Sequence, residues 1–240
     1  MPSLRWRTDE NTSITVGPAV QFYHYDSTDN VGRVINNNAL ILSYDSATIA
    51  NDKSHIGFVA NFVKDSRNNK LLPTWGSYIS VRVQGFKGLN KYSKSFGQII
   101  PEIALYKSVN ARSSIVIADR LGGGFTIGNA AFYQSMFLDG RENLSGYRRY
   151  RFAGTHMVYN NFEARIKLAD FANYILPGQF GMIAFYDIGR VWQKDEDSHQ
   201  WHNAVGAGIY FAPAQLALFQ FLLGYSKEGL YPYLTMGFRF

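Results

Sequence analysis

A chain of 240 residues with 46% hydrophobic and 18% charged residues is neither a disordered tail nor a helical membrane protein, and no window approaches eighteen consecutive apolar residues. Its formal charge of +6 is scattered along the chain rather than packed into one basic run, which argues against nucleic acid as a partner. Cysteine is absent, so no disulfide framework exists, and 16 Tyr, 18 Phe and 4 Trp form an aromatic excess that strands and interfacial girdles absorb.

The opening Met1-Pro2-Ser3-Leu4-Arg5-Trp6 has no apolar core, so no signal peptide is read there. Strand-like runs separated by turn residues follow, with no convincing amphipathic helix. The expected strands are 3–9, 13–25, 55–64, 75–87, 96–108, 113–127, 154–169, 178–192, 202–212, 215–226 and 231–240. In the fourth, Tyr78, Ser80, Arg82 and Gln84 oppose Ile79, Val81 and Val83. Short connections, at Ser108–Ala111 and Ala212–Ala214, read as periplasmic turns. Longer polar ones, near 26–52, 88–95, 128–153 and 193–201, read as outer loops.

The alternation is clearest in the second half. Phe162, Ala164, Ile166 and Leu168 share one face, and Glu163, Arg165 and Lys167 the other. Turning those charges to lipid costs roughly 2–4 kcal/mol each near the midplane, so the apolar face points to lipid and the charges to a lumen. Val205, Ala207, Ile209 and Phe211 alternate with Gly206, Gly208 and Tyr210, while Ala217, Phe219, Phe221 and Leu223 oppose Gln220 and Gly224. The last run places Leu234, Met236, Phe238 and Phe240 on one face and Thr235, Gly237 and Arg239 on the other, the usual ending of an outer-membrane barrel.

An all-β, antiparallel transmembrane β-barrel is therefore expected, in a single domain over residues 1–240. Eleven strands leave a parity problem, because a closed barrel with both ends in the periplasm needs an even number. Ala39–Tyr44 is a candidate twelfth strand, segment 3–9 is a candidate non-spanning one, and the favoured reading is a chain without its N-terminal strands.

The segment Asp139–Gly154 concentrates arginines at 141, 148, 149 and 151 among aromatics and glycines. Two readings stand on chemistry alone: a loop folded back into the lumen with its guanidinium groups on carboxylates, or a basic surface loop on anionic lipopolysaccharide. Three segments together, however, resemble the bacterial surface-antigen family, the barrels of outer-membrane insertases of the BamA and TamA type. Leu144-Ser145-Gly146-Tyr147 resembles that family's lumen-loop signature, Phe185-Tyr186-Asp187-Ile188-Gly189 its aromatic-x-Asp-x-Gly strand, and Asp65-Ser66-Arg67 with Pro73 and Gly76 its conserved turn. They lie in family order, with five expected strands after the loop. The likeness is strongest to Bacteroidetes-type barrels often fused to a metallophosphatase domain, which the sequence itself does not contain.

The resemblance implies the C-terminal part of a sixteen-stranded barrel, without periplasmic docking domains. It also implies an arginine at the Ser145 position, pairing in the lumen with Asp187. An unpaired buried carboxylate is costly, so Arg148 or Arg149 is expected to take over that pairing, with Glu163 as the other wall partner and Gly189 nearby. Implied partners are outer-membrane lipids and lipopolysaccharide, unfolded outer-membrane clients, and a second copy or further strands to complete the wall, all in the bacterial outer membrane.

Enzymatic signals are weak. No Gly-x-Ser-x-Gly elbow occurs, and Leu121-Gly122-Gly123-Gly124 lacks the ending of a phosphate loop. The run Asp195–His202 offers carboxylates and imidazoles but reads as a solvated hairpin loop, so no metal and no cofactor are expected. Three functions compete: a protein-inserting or protein-translocating barrel with a lateral seam, a passive pore of the same descent, and a soluble barrel for an apolar ligand. The lumen charges argue against the third.

Overall fold

The computed structural model describes residues 2–25, 43–140, 142–171, 177–193, 200–213 and 216–237. Eleven strands form one antiparallel sheet: β1 (Leu4–Arg7), β2 (Thr12–Tyr23), β3 (Lys53–Asp65), β4 (Trp75–Gly88), β5 (Phe96–Ser108), β6 (Ile115–Gly128), β9 (His156–Phe171), β10 (Gly178–Trp192), β11 (His202–Pro213), β12 (Phe219–Ser226) and β13 (Gly229–Met236). Each pairs with its neighbour in chain order, and β6 pairs directly with β9. The intervening segment carries a separate two-stranded ladder of β7 (Met136–Leu138) and β8 (Phe152–Gly154). Every expected strand has its counterpart. The short β7–β8 hairpin lies inside what reads in the sequence as plain loop.

Parity of side chains follows the expectation. On β9, Phe162, Ile166 and Leu168 are exposed, while Asn161, Glu163 and Arg165 are buried. On β12, Phe219, Phe221, Leu223 and Tyr225 face out, and Gln220, Leu222, Gly224 and Ser226 face in. Exposed leucines and phenylalanines thus form an outer apolar wall, and the polar groups line the interior.

Among the described residues β1 and β13 are unpaired edges of the sheet. With four residues, β1 is well short of the roughly nine to eleven that a tilted spanning strand needs. Residues 39–42 of the candidate twelfth strand lie outside the described residues, and Ser43 and Tyr44 are not in a strand. Phe238, Arg239 and Phe240, Arg141, Ala214 and Asp195–His199 also lie outside them.

Candidate lumen-loop clamp

The clamp starts on the inner wall. Period-two alternation on three adjacent strands brings Arg120 of β6, Asn161 of β9 and Asp187 of β10 to one level, since Asn161 is the register partner of both others. Asn161 and Asp187 are fully buried and Arg120 nearly so. Arg120 donates from Nε and Nη2 to Asn161 Oδ1 at 3.1 and 2.8 Å, which fixes the amide with its Nδ2 toward the lumen. That Nδ2 donates to Asp187 Oδ1 at 2.8 Å and to the Asn143 carbonyl at 2.8 Å. Arg120 also lies 3.6 Å from Glu102, whose carboxylate accepts the Tyr159 hydroxyl at 2.7 Å.

The loop arrives at this wall already shaped. The Asp139 carboxylate accepts the Glu142 N–H at 3.0 Å, its carbonyl accepts the Leu144 N–H at 2.8 Å, and the Asn143 side chain returns to the Asp139 N–H at 2.9 Å. These are the local side-chain-to-backbone bonds that Asp and Asn use to make turns. The Ser145 N–H then donates to Asp187 Oδ2 at 2.8 Å, and Arg120 donates to the Glu142 carbonyl. Hydrogen bonds to an ionised group contribute about 1.5–3 kcal/mol, so a carboxylate at this position weighs heavily in holding the loop.

Next in the chain, Gly146 takes φ +86°, and an added Cβ would meet Ala204 Cβ at 3.0 Å and Ser226 Cβ at 3.2 Å. Glycine is required there on both counts. Its N–H donates to the Tyr233 hydroxyl at 2.8 Å, and that hydroxyl donates to the Tyr147 carbonyl at 2.9 Å. Ser226 Oγ donates to the Gly146 carbonyl, and the Tyr147 hydroxyl donates to the Asn203 carbonyl at 3.1 Å. Burial pushes the Tyr147 phenol above its ordinary range, so it stays a neutral donor. Leu138, Leu144 and Tyr147 pack with Met157, Tyr159 and Ala204 of the wall, and an added Cβ on Gly189 would meet Leu138 at 2.9 Å.

The arginines behave differently from the expectation. Arg148, Arg149 and Arg151 are exposed, Arg149 stacking on Tyr150 and Arg151 pairing with Glu228. The transfer of the Asp187 contact to Arg148 or Arg149 is thus corrected: the loop presents a backbone N–H at Ser145, backed by the neutral Asn161 amide. Glu163 pairs along its own strand with Arg165, Nε to Oε1 2.8 Å, both buried, rather than with a loop arginine. Sequence reasoning missed Asn161, Arg120 and Tyr233. Extending the β9 polar face two residues back from Glu163 points to Asn161, and the parity of Leu234 and Met236 sends Tyr233 inward.

The front of the same loop grips the opposite wall. Gln134 donates to Gln21 of β2 at 2.8 Å, and Gln98 of β5 donates to the Gln134 carbonyl at 2.7 Å. The Phe132 N–H donates to the fully buried Asp45 carboxylate, which lies 3.3 Å from the equally buried Lys53 Nζ.

At the other end of the lumen sits the 66–74 turn. Asp65 and Arg67 form an ion pair at 2.8 Å with the guanidinium over the Tyr78 ring, and Gly76 at φ +114° passes against the Ser66 carbonyl. Asn68 and Asn69 cap the backbone N–H groups of Thr74, Trp75, Leu71 and Leu72. So braced, the turn carries Leu72 across the lumen to Ile183, Phe185, Tyr210, Ala212, Leu218 and Leu222, and Arg165 donates to the Pro73 carbonyl at 3.2 Å. The structure thus brings Leu144–Tyr147 together with Asp187 and Gly189, while Asp65, Arg67, Pro73 and Gly76 brace a separate closure.

Among curated proteins none matches this chain. Of solved structures, BamA from Haemophilus ducreyi lacking POTRA domains 1–3 is similar with a TM-score of 0.69 at 15% identity, covering 98% of this chain and 53% of that one. This chain therefore spans about half the length of that structure. The Omp85 superfamily domain matches residues 2–240. An all-β wall, an apolar exterior and that match agree: the chain belongs to the Omp85 superfamily and is a β-barrel protein of the bacterial outer membrane.

Proposed function

We propose that this barrel inserts or translocates unfolded outer-membrane proteins, with the loop over Asp139–Gly154 clamped to the wall so that the sheet keeps its curvature while an edge is free to template an incoming strand. The observation that carries this reading is the loop clamp itself: Ser145 on Asp187, and Gly146 and Tyr147 on Tyr233 of the edge strand β13. An unpaired edge presents a row of N–H and C=O groups that an extended segment satisfies by strand addition. No catalytic residue is assigned, and the partners are membrane lipids and extended client chains.

A second reading, a passive pore of the same descent, is favoured by Ser145 where the signature implies arginine. The assay that separates them is assembly of an unfolded outer-membrane barrel in proteoliposomes, read by the client's heat-modifiable gel shift. The insertase reading expects faster assembly with this protein than in protein-free vesicles. Unchanged assembly accompanied by steady ionic conductance supports the pore instead.

A further inference from the structure

The outer wall turns apolar side chains to lipid, and where β6 pairs with β9 Asp119 and Asn160 break that rule. Ile115, Leu121 and Phe125 of β6 and Phe162, Ile166 and Leu168 of β9 are exposed. Asp119 and Asn160 share their face, since Asp119 is registered opposite Leu105 and Phe162, and Asn160 opposite Leu121 and Ile188. Asn160 Nδ2 donates to Asp119 Oδ1 at 2.9 Å and to the Arg120 carbonyl at 3.2 Å. Asp119 Oδ2 and Asn160 Oδ1 remain as acceptors with no partner among the described residues. A carboxylate facing lipid is unfavourable unless something there satisfies it, and such groups mark sites.

Two neighbours say what satisfies it. One register step toward the short-turn end, the exposed Lys107 sits opposite Ile117 and Trp75, diagonal to Asp119 at about 7–8 Å between Cα atoms. A step the other way lies a groove of about 300 Å³ lined by Ile79, Val81, Pro101, Leu121, Gly123 and Val158. Gly123 supplies no side chain there. Pro101 supplies no N–H, and the β5–β6 ladder skips from Ile99–Phe125 to Glu102–Gly122. Trp75 and Lys107 are the residues of a membrane interface, so the charges lie at headgroup depth and the groove at acyl depth.

We propose that this patch binds an amine-headed zwitterionic phospholipid of the periplasmic leaflet, its ammonium on Asp119 and Asn160, its phosphate on Lys107 and an acyl chain over Gly123. The negative and positive side chains one step apart complement the two charges of such a headgroup, and the groove continues the lipid-facing wall. This site is independent of the insertion activity proposed above.

The test is native mass spectrometry of the full chain in detergent, titrated separately with dioleoyl phosphatidylethanolamine, its N-acetylated form and dioleoyl phosphatidylglycerol. One phosphatidylethanolamine is expected to be retained about tenfold more tightly than either competitor, the weight of one charge-assisted hydrogen bond. Asp119→Asn and Gly123→Leu each abolish that preference while heat-modifiable migration stays that of the folded barrel, and Lys107→Gln reduces it less. Equal retention of the three lipids overturns the proposal, as does an unchanged preference in both variants. Cross-linking of Val158→Cys copies into a dimer that excludes lipid assigns the patch to a second copy and overturns it too.

Discussion

Two segments enter the lumen from opposite ends, and they are held by different chemistry. The Asp139–Gly154 loop is fixed by directional polar bonds from Asp187, Asn161, Arg120 and Tyr233. The 66–74 turn is fixed mainly by Leu72, with Leu71 packed beside it, in an apolar socket, and Arg165 donates to the Pro73 carbonyl. Polar clamps define register and orientation, whereas an apolar contact is non-directional and scales with area removed from water. On that contrast the loop is expected to be the more rigidly oriented of the two and the turn the more easily displaced.

The largest effect is expected at Asp187. Asp187→Leu strands the Ser145 N–H and one Asn161 contact in a buried site, an expected loss of roughly 3 kcal/mol read as a lowered unfolding midpoint in detergent. Leu72→Ala is expected to cost somewhat less, about 2–3 kcal/mol, and to raise ionic conductance while leaving the loop's hydrogen exchange unchanged. If Leu72→Ala frees the loop as well, the two closures are one unit and the contrast fails. Tyr233→Phe removes the hydroxyl that joins β13 to the loop, and about 1 kcal/mol is expected by the same melting measurement. Arg148→Ala and Arg149→Ala, at exposed positions, are expected to stay within about 0.5 kcal/mol of the parent. A larger loss in either restores the arginine pairing that the structure moves elsewhere.

Much of this was legible in the chain. The alternation of Phe162 to Leu168 and of Phe219 to Ser226 states which side of the wall each residue occupies, because a strand's period is two whatever it packs against. The resemblance points the Leu144–Tyr147 segment at Asp187, but through an arginine side chain rather than the Ser145 N–H that makes the contact. What alternation does not encode is the partner across a lumen. Phe132 reaches Asp45 and Gln134 reaches Gln21 over separations of 87 and 113 residues, which no local pattern announces. The arginine expectation fails for a related reason: charge density in the sequence draws attention to Arg148 and Arg149, but the buried contact is made by a backbone N–H that every residue type carries except proline. The inward fold of the 66–74 turn was hidden likewise, since Leu72 reads as an ordinary loop leucine until the curl of the sheet brings Leu222 to it.

The Asp187 carboxylate holds the loop backbone at Ser145. Hydrogen–deuterium exchange of the segment 143–148 in the membrane-reconstituted protein tests it most directly. Exchange as slow as that of the β9 and β10 amides is expected, becoming fast in Asp187→Leu while those strand amides stay protected. Exchange in the parent as fast as in the exposed 89–95 connection, or no change in the variant, contradicts it.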